Sequence, residues 1–412
     1  MLSILEVPQA MVFLEISRMP FPSASEKDSK AIELLKTLVG FDTISYNPNL
    51  ELIEFIQSYL SSYDIDSTLI HDESGKKANL YATIGRTDIG GVMLSGHTDV
   101  VPVSGQDWDT DPFSLTKSSD KLYGRGSADM KGFIALVLSR VPEMVSTELT
   151  KPIHLAFSYD EEIGCVGVQR MLDLLEHQPI KPSCCIIGEP TGMEVVIGHK
   201  GKLATRVKVR GHACHSGQSP LGVNAIDFAS ELIVYIRKLA HEKAQNGPFD
   251  KDYEVPYTTL HTGVVGGGTA LNIVPNLCQF DFEIRHLYEE DPQHLLDQIE
   301  NFARDHLENE MHLIDSDTGF DFETLATYPG LLTDPGIEFV TYVKGLLDND
   351  AHSKVIFGSE GGLFHKRLGT PTLVCGPGNI DQAHKANEYI SLDQLQKGGN
   401  FLDRLLESLV LS

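Results

Sequence analysis

Short apolar runs alternate with helical patterns through much of this chain, and several runs stop at a side chain able to bind a metal. GVMLSGH ends at His97, IHLAFSYDEE runs into Glu162, CCIIGE ends at Glu189, and TLVCGPGNIDQAH leads to His384. A fifth such residue, Asp129 in GRGSADMKG, opens a helical pattern. Apolar runs without alternation are strands buried on both faces, which calls for covering helices and a mostly parallel sheet. The expected fold class is α/β. In such a sheet the strand carboxyl ends collect along one edge, so residues distant in sequence converge there. Two histidines and three carboxylates suit zinc or a similar divalent ion. If one carboxylate is shared, the set holds two ions and becomes a hydrolytic centre.

The pattern changes near Val196. LATRVKVRG alternates, with Leu203, Thr205, Val207 and Val209 on one face and Arg206, Lys208 and Arg210 on the other. LCQFDFEIRHL repeats the pattern, with Cys278, Phe280, Phe282 and Ile284 facing one way. These are strands with one face exposed. With the helices between and after them, they predict an inserted, ferredoxin-like α+β domain over 196–311. The catalytic α/β domain is then 25–195 together with 312–412. At 412 residues the chain is long for one core, so two domains agree with its size. Residues 1–24 read as a disordered leader, the alternative being that translation starts at Met19.

A net charge of −25 argues against nucleic acid or an anionic membrane as partner. No apolar run reaches membrane-spanning length. The six cysteines form no CxxC pair and sit mostly in apolar runs, a reduced, cytoplasmic pattern. GVVGGGTALNIVP lacks the GK[ST] of a phosphate loop, which disfavours nucleotide binding.

Each candidate has a plainer reading beside the functional one. Asp99 lies two residues after His97 and can orient its ring, whereas a lone histidine after a strand is usually a solvated residue. Asp129 can be a helix N-cap or a bridging ligand. Asp160, Glu161 and Glu162 are either a solvated acidic loop or carboxylates gathered around a cation, with Glu161 as general base. Glu189 can be a turn residue before Pro190, and His384 a surface histidine. His212 and His215 in GHACHSGQSP are a polar loop or donors to a developing oxyanion. Arg285 can pair with Asp281 or Glu283, or clamp a substrate carboxylate.

At SGHTDVVP, LYGRGSADMKG, DEEIG, GEPT and AHKANEY the chain resembles the di-zinc amidohydrolase family of acetylornithine deacetylases, succinyl-diaminopimelate desuccinylases, glutamate carboxypeptidases and aminoacylases. The resemblance runs over about residues 30–410. It implies one metal on His97, Asp129 and Glu189 and a second on Asp129, Glu162 and His384, the ions being zinc or cobalt. It further implies Glu161 as base, Asp99 as orienting acid, and His215 as an oxyanion donor reaching a partner subunit's site, with His212 as the alternative. Arg285, Asn272, Glu360 and Gly361 match substrate-binding positions, and the Asp129–Met130 peptide is expected to be cis. A homodimer through 196–311 follows from the same resemblance. GQDWDTDPF, GRGSADMKGF, LGVNAI and FGSEGGLF are most similar to acetylornithine deacetylases. The expected reaction is removal of acetate from N2-acetyl-L-ornithine, in arginine biosynthesis. Rivals are another N-acyl-amino-acid deacylase or carboxypeptidase on the same centre, and a metal- or peptide-binding protein without catalysis. A binder has no use for a base at Glu161.

Overall fold

The computed structural model describes residues 24–410; the leader lies largely outside them. Two sheets account for most of the chain. The first half runs α1 (Ala24–Val39), α2 (Leu50–Ser61), β1 (Ser67–His71), β2 (Ala78–Ile84), β3 (Val92–His97), β4 (Thr116–Ser118), β5 (Lys121–Tyr123), α3 (Lys131–Ser146), β6 (Ile153–Ser158), α4 (Val168–Glu176), β7 (Cys184–Pro190) and β8 (Val196–His199). Next come β9 (Gly201–Arg210), α5 (Ala225–Asn246), β10 (Thr259–Gly267), β11 (Leu277–His286) and α6 (Pro292–Phe302). A π-helical turn leads from α6 into α7 (Asn309–Met311) and then β12 (Gly319–Tyr328). The chain closes with β13 (Leu331–Leu332), α8 (Glu338–Leu347), β14 (Ser353–Val355), α9 (Gly361–Leu368), β15 (Thr372–Gly376), β16 (Tyr389–Ser391) and α10 (Leu392–Leu409).

The large sheet has the order β1-β2-β6-β3-β7-β15-β8-β13, with β14 beside β8. The α/β class stands, but the sheet is mixed. β6, β3, β7 and β15 are parallel neighbours, whereas β1, β2 and the β15–β8–β13 side pair antiparallel. An apolar run looks the same in either direction, so its composition does not reveal orientation. The central strands are buried throughout. One face is packed by α1, α2, α3, α8 and α10, the other by α4 and α9. The fit is tight: a Cβ on Gly188 would stand 2.1 Å from the Phe133 ring of α3.

Register aligns the chemistry. His97 pairs with Ser158, and Ser95 with Ile187, so His97 and Glu189 each lie two residues further along neighbouring parallel strands. The acidic turn begins two residues after Ser158.

The smaller sheet has the order β10-β11-β9-β12, all antiparallel, with α5 and α6 on one face: the ferredoxin-like arrangement. The alternation read from sequence holds. Leu203, Val207, Val209, Phe280, Phe282 and Ile284 are buried, while the opposite face carries cross-strand pairs such as Arg206–Asp281 and Lys202–Glu283. The expected limits of 196 and 311 do not match the sheets. β8 belongs to the large sheet, and β12 completes the small one, so the small unit runs from Gly201 to Tyr328.

Candidate metal centre

The five expected ligands meet at the carboxyl edge of the parallel strands. His97 Nε2 lies 3.0 Å from Asp129 Oδ1 and 3.7 Å from Glu189 Oε1. His384 Nε2 lies 3.3 Å from Asp129 Oδ2 and 3.0 Å from Glu162 Oε2. Asp129 thus turns one oxygen to each histidine, the arrangement a shared ligand needs. It caps no helix: α3 starts at Lys131 without a side-chain cap bond, and the Asp129–Met130 peptide is cis. Two overlapping groups have donor atoms within 4.8 Å of one another, His97 with Asp129 and Glu162, and His97 with Glu161 and Glu189. Nitrogen and carboxylate oxygen donors at that spacing fit zinc or a similar divalent ion. His97, Asp129 and Glu189 are buried, while the His384 side chain is 51% exposed. The cluster therefore opens to solvent on the His384 side.

The electrostatics favour a cation. Burial pushes Glu161 up to about 8, with the charges of Glu162 and Glu360 adding to it against His97. Burial and the Asp129 charge push Glu162 up to about 7, opposed by the histidines. Glu189 is driven well above the carboxylate range by burial and by Asp129. Asp129 goes the other way, because its bonds to His384 and His97 outweigh its burial. Hydrogen bonds to Asp129 and Glu162 raise His384 to about 10. Crowded buried carboxyls repel one another, and positive charge at their centre relieves that repulsion.

Asp99 behaves differently from expectation. His97 Nδ1 is 2.9 Å from the backbone carbonyl of Asp99 and 3.5 Å from its carboxylate. The carboxylate instead accepts from Ser45 Oγ at 2.7 Å, Glu161 N at 3.1 Å and Glu162 N at 3.3 Å. One residue therefore fixes both the His97 ring and the acidic turn. The Cys165 thiol donates to Glu161 Oε1 at 3.4 Å.

The remaining expected residues lie outside these ligand groups. Glu360 is 1% exposed and Gly361 is buried, so neither presents a surface to a small molecule in this conformation. Arg285 donates from Nε to Glu283 at 3.1 Å and from Nη1 to the Tyr328 hydroxyl at 2.9 Å, and Asp281 is taken by Arg206. His215 and Asn272 are exposed and share one tip of the small unit: His215 bridges to Ile273, and Ser216 N donates to Asn272 O. The His215 Nδ1 accepts from Gly217 N, and His212 pairs with Asp315 at 2.6 Å. No hydrogen bond found for His215 among the described residues reaches the ligand cluster.

Sequence reasoning passed over Arg125 and Glu388. Both are 1% exposed, paired at 2.7 Å, and bonded to the loop that carries Asp129. GRG and AHKANEY contain the two residues, but neither motif shows that they pair.

Residues 93–408 match the peptidase family M20/M25/M40. The chain belongs to this family. It is 32% identical over 374 residues to acetylornithine deacetylase of Pasteurella multocida, covering 90% of this chain and 94% of that one. Against acetylornithine deacetylase of Shigella sonnei it is 35% identical over 314 residues, 76% of this chain and 79% of that one. An M20 family metallo-carboxypeptidase from Sulfolobus solfataricus has the same fold, with a TM-score of 0.72 at 20% identity, covering 92% and 98% of the two chains. A dinuclear metal binding peptidase of Bacillus subtilis aligns with a TM-score of 0.64 at 14% identity, covering 93% and 99%. This M20 chain is a metal-dependent hydrolase of amide bonds.

Proposed function

We propose that the protein deacetylates N2-acetyl-L-ornithine at a two-metal centre, with zinc or cobalt on His97, Asp129 and Glu189 and on Asp129, Glu162 and His384. The observation that carries the two-metal reading is Asp129, with one oxygen toward each histidine. The substrate rests on the deacetylases that match most of the chain. When bound, two such ions polarise the amide carbonyl and make the attacking water more acidic. Glu161 takes the proton from that water and later gives it to the leaving amine. Burial and the neighbouring carboxylates raise its proton affinity, and a positioned carboxylate can accept and return a proton. Asp99 holds the Glu161 backbone, and Cys165 orients one carboxylate oxygen. Arg285 and Asn272 are assigned to the substrate's amino-acid part. Glu360 is assigned a place behind Glu161 rather than against substrate.

His215 is assigned as an oxyanion donor to a partner subunit. Support comes from the small unit's surface. β10 is an edge strand, and Val264 and Val265 on it are 61% and 63% exposed, with Leu271 fully exposed in the loop that follows. An apolar edge of this kind invites pairing with a second copy. Among the described residues no helix is long and apolar enough to cross a membrane, and free cysteines support a reducing, cytoplasmic setting.

The test is a panel of N-acyl amino acids assayed with purified, metal-reconstituted protein. N2-acetyl-L-ornithine should give the highest kcat/KM, chelation should abolish turnover, and Zn²⁺ or Co²⁺ should restore it. A preference for succinyl-diaminopimelate or another acyl amino acid would replace the substrate and keep the chemistry. Hydrolysis of none would overturn the reading.

A further inference from the structure

Three loops meet beside the ligand cluster, and one buried ion pair ties them together. Glu388 uses both carboxylate oxygens. Oε1 accepts from Ala128 N at 3.0 Å and Asp129 N at 3.1 Å, and Oε2 accepts from Gly126 N at 3.0 Å and Arg125 Nη1 at 2.7 Å. The Glu388 carbonyl also accepts from Gly124 N at 3.0 Å. The loop 124–129 is therefore bound along its length to one residue, four positions beyond His384.

Arg125 completes the tie. Its Nη1 donates to Lys385 O at 3.2 Å, next to His384. Its Nη2 donates to Gln106, whose Nε2 in turn donates to the His384 carbonyl at 3.0 Å. The guanidinium lies 5.0 Å from the centre of the Trp108 ring. Asn387 and Asp109 join the same loops through two further bonds, at 2.9 and 3.0 Å.

The ligands are thus supported in two ways. His97 and Glu189 stand on parallel strands whose ladders fix them. Asp129 and His384 stand on loops, and the bonds between those loops run through Glu388, Arg125 and Gln106. A buried ion pair carries a desolvation cost that apolar packing would avoid, so its placement between two ligand loops points to registry rather than stability.

We propose that Glu388 and Arg125 are positioning residues that set Asp129 against His384, and so control the ion those two residues share with Glu162. This rests on the ligand assignment above.

The test is titration of Zn²⁺ into chelator-stripped, full-length Glu388→Gln protein, with stoichiometry and affinity measured beside the melting temperature of the metal-free form. The ion on His97, Asp129 and Glu189 should weaken less, because two of its three ligands stand on strands of the large sheet. The second should be weakened about 10- to 100-fold, the usual result of losing a group that orients a ligand. Two ions bound with unchanged affinity would overturn the proposal. So would equal loss of both ions with a lower melting temperature, which marks a general structural role. If Glu388→Gln does not fold, Gln106→Ala decides, since it removes the link to the His384 carbonyl and leaves the buried pair. It should weaken the second ion by a smaller factor at an unchanged melting temperature, and no change overturns the proposal. A parent binding fewer than two ions removes the ligand assignment and this proposal together. A parent with two ions and unaffected variants overturns this proposal alone.

Discussion

The ligand cluster and the tip of the small unit are built on opposite plans. At the cluster His97, Asp129 and Glu189 are buried, and the supporting groups, Ser45, Asp99, Arg125 and Glu388, are buried too. At the tip, His215, Asn272 and Leu271 are exposed, and the His215 bonds described above stay within the tip. A cluster held by its own chain can assemble in one subunit. Under the proposed pairing of two copies, a histidine on an exposed tip beside an apolar edge strand would act outside its own unit. On the proposed reading, the contrast separates a self-contained metal centre from a contribution made by contact.

The sharpest way to break that contrast is at Glu161. Glu161→Gln should retain both ions and lower kcat by about 10²–10⁴, the contribution of a positioned acid–base group. The geometry makes this a real test, because Glu161 also lies within ligand distance of His97 and Glu189. If metal content falls together with kcat, Glu161 is a ligand and the cluster is larger than assigned.

The cluster was more legible in the sequence than the tip. Its residues follow apolar runs, and parallel strands align their ends, so a one-dimensional pattern carried three-dimensional information. The half-buried small sheet was legible for a similar reason, since Phe280 and Phe282 face the core on alternate positions. What failed was long-range. VIGH resembles the start of the next strand, yet it pairs with β13, β14 and β15 of the large sheet. The β12 segment went unread because it finds its place only against β9. β1 is a half-exposed edge strand with little apolar pattern. Glu388 was invisible as a support because its partners are backbone N–H groups about 260 positions away.

At the tip, His215→Ala should lower kcat by about 10²–10³, the worth of one oxyanion donor, with both ions retained. The contrast sharpens when subunits are mixed. His215→Ala and Glu161→Gln chains, each nearly inactive, should form heterodimers with one site assembled from the intact half of each. Activity should then return as subunits exchange. If exchange is demonstrated and no activity returns, His215 serves its own chain or takes no part in the reaction.

The smallest expected effect asks whether the two regions are independent. The Asn224 side chain caps α5, accepting from Ile226 N at 3.0 Å and Asp227 N at 3.4 Å. α5 lies under the small sheet, and the cap follows the loop that carries His215. Asn224→Ala should cost about 1 kcal/mol, the usual worth of such a cap, and lower Tm by roughly 2–4 °C. Among the described residues no side-chain hydrogen bond joins α5 to the metal ligands, so zinc stoichiometry and affinity should match the parent. Any loss of kcat should appear only where the tip is loosened, and should be far smaller than that of His215→Ala. Weakened zinc binding in this variant would mean that the small unit holds the cluster in shape. The division between a self-contained centre and a contributed tip would then give way to a single cooperative structure.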